Sequence, residues 1–249
     1  MRLFSAMAVA ACFAGPAQAQ QREVFVPQYK ETTNRNDDTA RKIIDKFGQC
    51  AAKKHPSAAA AFVLELDPDE KRLKKLLMDA DPEDCMAEAV GDAADFEVTF
   101  PGDTIRYAFA DALVRSEMAG STITGFADVP RFPTRLYDAS TYEPKAGKVA
   151  SKREMETLAT RKASRQVAIF MSAFGECVVR SSPAGSHALL MTRMTSAEEA
   201  REIGKLNAVL AGCIPNQKTI SLNKTNVRGS IAMNYYRLAK AKAGISGRE

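Results

Sequence analysis

The sequence lacks tryptophan, has only two histidines, His55 and His187, and after its first residues contains no long apolar run. Without tryptophan there is no indole platform for sugar stacking. Two histidines at unrelated positions, with no short Cys-x-x-Cys pair, leave no recognisable metal-ligand set. No Gly-x-Ser-x-Gly elbow surrounds any serine, although Ser186 precedes His187 and Ser181 and Ser182 are close by. Glycine-rich phosphate loops are absent, as is the Asp-x-Asp-x-Asp-Gly calcium loop. Asp67, Asp69, Glu70, Asp81, Glu83 and Asp84 cluster in the sequence, but helix capping accounts for several of them. Beyond the start of the chain nothing approaches the roughly 20 apolar residues needed to cross a bilayer. No cofactor and no transmembrane segment are expected.

What is present begins with a leader. Arg2, the small and apolar residues Leu3 to Gly15, and Ala17-Gln18-Ala19 before Gln20 follow the order of a secretory signal peptide. Residues 1–19 are read as that peptide, and export to the periplasm or the medium is the expected location. Val9-Ala10-Ala11-Cys12 has the form of an acylation box, but too short an apolar stretch precedes it.

Removing the leader takes Cys12 away and leaves Cys50, Cys85, Cys177 and Cys213, an even number in an oxidising compartment. These cysteines belong to a repeat. Phe47-Gly48-Gln49-Cys50 recurs as Phe174-Gly175-Glu176-Cys177; Pro56 or Pro183 follows, and then Cys85 or Cys213. Four cysteines allow three pairings, and the repeat alone does not choose among them. A module that once existed singly had to satisfy its own two thiols, which selects Cys50–Cys85 and Cys177–Cys213. Each such closure restrains the unfolded chain by about 4 kcal/mol in the loop-entropy description.

Helical periodicity supports the duplication. At a constant offset Ala40, Ile43, Ile44, Phe47, Cys50 and Ala51 answer to Val167, Phe170, Met171, Phe174, Cys177 and Val178, and each set falls on one helix face. Asp37 or Asp38 is the expected cap of the first helix; the second can start as early as Ser151, because no strong breaker lies between Lys152 and Arg165. Short helical stretches are expected over Ala58 to Leu66 and Gly185 to Met194. Capping patterns at Asp67-Pro68-Asp69-Glu70 and Thr195-Ser196-Ala197-Glu198 then start helices over Pro68 to Asp79 and Ser196 to Gly212. Leu73, Leu76 and Leu77 face inward in one, and Ile203, Leu206 and Leu210 in the other.

Phe96 to Phe100 and Thr219 to Leu222 read as short strands, paired with each other to join the modules. Each half closes with a further matched helix in which Ile105, Arg106 and Phe109 answer to Val227, Arg228 and Ile231; Asp103 and Asn226 stand near the starts as caps. The fold class is therefore mainly α with a small β element, as two tandem pseudo-symmetric modules. The expected organisation is a flexible arm at 20–38, module 1 at 39–119, a linker at 120–150, module 2 at 151–243 and a tail at 244–249. Phe126, Phe132, Leu136, Tyr137 and Tyr142 imply that the linker packs on a module.

Charge divides the halves. Arg41 to Glu117 holds 11 basic and 16 acidic residues, and Ser151 to Lys242 holds 15 basic and 6 acidic. Surfaces of this kind can complement one another, or the basic half can face an anionic partner such as cell-wall polymer or lipid head groups. Nucleic acid is disfavoured, since the basic residues are scattered and form no recognition motif. Arg106 and Arg228 recur at the same point of each module. They can tie a helix to a neighbouring carboxylate or to free carbonyls, or grip an anionic ligand as a pair.

With the Phe-Gly-x-Cys, Pro, Cys and Val/Ile-Arg landmarks in both halves, the chain resembles exported proteins of sphingomonad-type alphaproteobacteria that carry this module, over roughly Ala40 to Lys240. That family has no assigned activity, so the resemblance implies location and construction and supplies no catalytic residue. The expected function is a non-catalytic binding or scaffold role in the envelope or outside the cell, toward another macromolecule or itself. A cell-wall-directed hydrolase using acidic residues is the alternative.

Overall fold

In a computed structural model, residues 35–66, 75, 78–79, 82–91, 103–133, 143–144, 150–215 and 222–246 are described. Helices dominate them. The first half supplies α1 (Arg35–Lys54), α2 (Pro56–Leu64), α3 (Pro82–Val90) and α4 (Thr104–Glu117). The second supplies α5 (Lys152–Ser181), α6 (Pro183–Met191), α7 (Ala197–Gly212) and α8 (Lys224–Ser246), and a one-turn 3₁₀ helix spans Phe126–Asp128 between the halves. Among the described residues there is no strand. The expected strand at 96–100, and all of 219–222 but its last residue, lie outside them; Leu222 is irregular chain. The signal peptide, most of the 20–38 arm, and Leu73, Leu76, Leu77, Leu136, Tyr137 and Tyr142 also fall outside. Of the helix expected over 68–79, Lys75, Met78 and Asp79 are described, and all three are helical.

Local chemistry sets the helix ends. Pro56 and Pro183 open α2 and α6, where a missing N–H costs nothing and the fixed φ suits the first turn. Ser151 Oγ accepts the Glu154 N–H and starts α5 at its early limit. Several expected caps are corrected. Because α1 is already helical at Arg35, Asp37 and Asp38 lie in its first turn, where a negative charge still favours the helix dipole. In α7 the cap is Ser196, which accepts the Glu199 N–H, so the box sits one residue later than Thr195 and Glu198. Asn223, not Asn226, caps α8, its Oδ1 accepting the Asn226 N–H at 2.7 Å. Asp103 stands at the start of α4 but makes no cap bond; its carboxylate accepts from Arg106 instead. The tail expected from Gly244 begins as helix, since α8 continues to Ser246.

The two closing helices form the centre. Tyr107 packs on Gly229 and Glu117 accepts from Tyr236, so α4 and α8 lie side by side and run in the same direction. Every residue of 106–114 and of 227–239 is buried. A helix covered on all sides needs no apolar stripe, which is why neither shows a clean helical period. On the outer flanks α1 packs antiparallel on α4, Gly48 beside Ala108 and Asp45 beside Arg115; α5 packs antiparallel on α8, Gly175 beside Ser230 and Ser172 beside Asn234. The halves thus meet through helices, and one apolar cluster runs through both. Phe109 of α4 contacts Phe47 of α1 and Phe62 of α2, each with ring centroids 5.5 Å apart. Burial at this scale contributes on the order of 2 kcal/mol per large apolar side chain.

The inner stripe of α5 is shorter than its periodicity implies. Met171, Phe174 and Val178 are buried, but Val167 is 51 % exposed, because residues 152–167 run almost entirely along solvent. The described part of the linker does pack. Phe126 is buried edge-on against Tyr235, and the Arg180 guanidinium holds the carbonyls of Phe126, Val129 and Pro130 as a strap across α5.

Gly48 and Gly175 are where the helix pairs come closest. A Cβ at Gly48 would overlap the Ala108 carbonyl, and one at Gly175 the Ser230 carbonyl, whereas Gly204 on the exposed side of α7 has open space. Gly48→Ala and Gly175→Ala should each lower stability in urea unfolding by about 2 kcal/mol or more. Gly204→Ala should raise it, by up to about 1 kcal/mol through helix propensity.

Candidate functional site

Arg106 and Arg228 are both buried, at 1 % and 0 % exposure. Each closes the carbonyl end of the short helix in its own half. Arg228 donates to Leu189 O at 3.2 Å, Leu190 O at 3.0 Å and Thr192 O at 2.8 Å, beyond the last turn of α6. Arg106 donates to Phe62 O at 3.2 Å, to Glu65 O, and at a long 3.5 Å to Val63 O, at the end of α2. These acceptors stand at one constant offset along the sequence: Phe62 with Leu189, Val63 with Leu190, Glu65 with Thr192. A helix leaves its last carbonyls unpaired and carries partial negative charge there, so a guanidinium satisfies both needs. Arg237 of α8 adds a second guanidinium to α2, donating to Val63 O at 2.7 Å and Glu65 O at 2.8 Å.

Both guanidiniums are buried and engaged by groups of the chain itself. The anions that meet Arg228 are internal. Its Nε and second terminal nitrogen face the two oxygens of Asp111 at 2.9 and 3.4 Å, and its remaining nitrogen donates to Thr192 Oγ1 at 3.0 Å and to Glu199 Oε1 at 3.2 Å. Arg106 has Asp103 at 3.4 Å and the Phe62 ring 5.9 Å away.

From Arg228 the charges continue in both directions. Glu199 Oε1 also accepts from Arg41 at 2.6 Å, and Asp111 Oδ2 pairs with Arg115 at 2.6 Å, which in turn pairs with Asp45. Three cations and three anions thus alternate through α1, α4, α7 and α8. Burial of Arg115 would lower its pKa, but Asp111 and Asp45, with Glu199 further off, leave it raised. Glu199 is the most constrained member: its other oxygen accepts the Thr195 N–H at 2.9 Å, and Thr195 has a φ of 62°, uncommon for a β-branched residue.

Sequence reasoning named Arg106 and Arg228 but missed Asp111, Glu199, Arg41, Arg115, Asp45 and Arg237. A signal existed for Asp111, a carboxylate inside the otherwise apolar Ala108-Phe109-Ala110-Asp111-Ala112-Leu113-Val114. Glu199 had none, since neighbouring Glu198 fits the cap pattern equally well.

The remaining residues singled out in the sequence do not converge. His187 has both ring nitrogens engaged, Nε2 with Met118 O at 2.9 Å and Nδ1 with Thr122 Oγ1 at 3.1 Å, and the neighbouring Ser186 Oγ is buried without a hydrogen-bond partner. Glu83 and Asp84 are exposed in the first turn of α3, while Asp67, Asp69, Glu70 and Asp81 lie outside the described residues. Among the described residues no cluster of three His, Cys, Asp or Glu could hold a metal, and no helix is long and apolar enough to cross a membrane. Disulfides join Cys50 to Cys85 and Cys177 to Cys213, each half closing on itself. Compared with protein-family models, curated proteins and solved structures, the chain has no match.

Removing one partner of a buried ion pair leaves an uncompensated charge. Glu199→Gln strips the carboxylate that Arg41 and Arg228 share, and should cost about 3–5 kcal/mol in chemical denaturation. Glu198→Gln, on the exposed side of the same helix, should change stability by less than about 0.5 kcal/mol.

Tyr236 supplies a pH dependence. Burial first, and then the Glu117 carboxylate that accepts its hydroxyl at 3.2 Å, hold its pKa well above the usual 10.0. Above pH 10 the unfolded chain ionises this phenol while the folded chain keeps it neutral, so stability should fall as pH rises through that region. In Tyr236→Phe the fall, followed by urea midpoints between pH 9 and 11, should be shallower.

Proposed function

We propose that this chain is an exported, disulfide-stapled frame of two duplicated modules that binds an anionic macromolecule of the bacterial envelope without catalysing a reaction on it. The observation that carries the reading is on the outer face of α1. Lys42, Lys46 and Lys53 project into solvent in one stripe with Gln49 between them, and no carboxylate pairs with any of them among the described residues. The face opposite holds Ile43, Phe47 and Cys50 in the core, so the stripe has a rigid backing. At the matching offset α5 carries Ile169, Ala173, Glu176 and Arg180, and these line the region beneath the strap. Lysines in place of Ile169 and Ala173 make the α1 face unsuited to an apolar cover and suited to an anion.

The second half also keeps exposed basic residues, Lys152, Arg153, Arg161 and Lys162 on α5, but others there are engaged. Arg228 and Arg237 are buried, Arg180 holds the strap, and Lys205 and Lys240 are paired with Glu202 and Glu117. Duplication is supported by the arginines meeting corresponding carbonyls, by glycines at corresponding helix crossings, and by disulfides spanning 35 and 36 residues. Export is supported by two disulfides, which persist in oxidising compartments, together with the leader-like start. The likeness to exported sphingomonad-type proteins belongs to the same reading.

The immobilised mature chain should retain a partner from envelope extract at low salt and release it as salt rises. A Lys42→Glu/Lys46→Glu/Lys53→Glu variant should lose that partner with an unchanged melting temperature. Equal retention by both proteins would refute the proposal.

A further inference from the structure

The two disulfides occupy different environments. Cys50 and Cys85 are 6 % and 0 % exposed, and Glu88 Oε2 lies 3.4 Å from the Cys50 sulfur. A thiolate approaching that bond meets packed side chains, and the Glu88 carboxylate there is paired with Lys54. Cys177 and Cys213 are both partly exposed, and Cys177 lines a solvent-open cavity of about 240 Å³ whose walls include Arg131, Phe132, Glu176 and Arg180. Arg131 is exposed, so a positive charge stands at the entrance.

We propose that Cys177–Cys213 is a site of thiol–disulfide exchange, with a thiolate entering this cavity and attacking the Cys177 sulfur, while Cys50–Cys85 is a permanent staple. The electron pair of the incoming thiolate forms a new S–S bond to Cys177. The Cys177–Cys213 bond breaks, and Cys213 leaves as a thiolate that takes a proton from water. A dithiol completes a second exchange: its other thiolate attacks the mixed disulfide, forms its own internal bond and releases Cys177 as a thiolate. No other oxidant or reductant is required.

The fold can tolerate the opening. Cys213 lies just past the last turn of α7, whereas the opposite end of that helix is tied by Glu199 to Arg41 and Arg228, and Ile203, Leu206 and Leu210 remain in the core. Exchange therefore frees the C-terminal end of α7 without dissolving the frame. The proposal does not depend on the lysine face of α1.

The test treats the native full-length mature chain with graded glutathione in one arm and dithiothreitol in the other, traps free thiols with iodoacetamide and maps peptides by mass spectrometry. Glutathione should appear on Cys177 and the alkyl label on Cys213, at least about tenfold faster than any modification of Cys50 or Cys85, with circular dichroism unchanged. Dithiothreitol should give both Cys177 and Cys213 alkylated. Arg131→Glu should slow the glutathione step and Phe132→Ala should speed it. Both bonds opening at one rate, opening only in denaturant, or glutathione on Cys50 or Cys85 would overturn the proposal.

Discussion

A guanidinium buried away from water is costly unless its N–H groups find acceptors, and Arg228 finds them on α4, on α7 and at the end of α6. That one side chain decides how the two halves fit. Asp111 comes from the first half of the chain and Glu199 from the second, so both halves must be folded before the charge is satisfied. Arg41 and Arg115 extend the requirement to α1 and to the outer side of α4. An alternation of three positive and three negative groups is neutral as a whole and sharply unfavourable when any member is missing.

Backbone proximity is the second constraint, and it acts with the first. Gly48, Gly175 and Gly229 let three pairs of elements approach closely enough for the polar groups of α4 and α8 to reach their partners. The same approach buries both central helices on every side. Residues that are ordinarily surface types, such as Arg237, Asn234 and Asp111, then lie inside because each has a defined acceptor or donor. The disulfides tie the flanking helices, α1 to α3 and α5 to the end of α7, outside this polar centre.

Most of the helices could be read directly. Pro56 and Pro183 start helices wherever they follow a helical run, Ser151 and Ser196 precede carboxylates at capping distance, and Phe47 and Phe174 lie on stripes with a clear period. Reading failed where an element is surrounded by protein or where two residues fit one pattern. Residues 227–239 have little periodicity because they have no solvent face. Glu198 and Glu199 are interchangeable as cap residues and entirely different in burial. Val167 satisfies the stripe of α5, but only tertiary structure shows that α5 outruns its neighbours there. The candidate site was half visible: the paired positions of Arg106 and Arg228 stand out, whereas their acceptors are backbone carbonyls, which no side-chain pattern records.

The order of residues by itself determined the helical character, the two closed cysteine loops expected from an even count at similar spacing, and the recurrence of an arginine after each loop. These are local or compositional matters, governed by capping, period and spacing. Tertiary structure alone decided which carboxylates meet Arg228, which helices lie at the centre, and which disulfide faces a cavity. Those outcomes depend on contacts between residues far apart in the chain, 29 positions for Arg228 with Glu199 and 117 for Arg228 with Asp111, and a linear pattern carries no information about which distant groups will share one dry space.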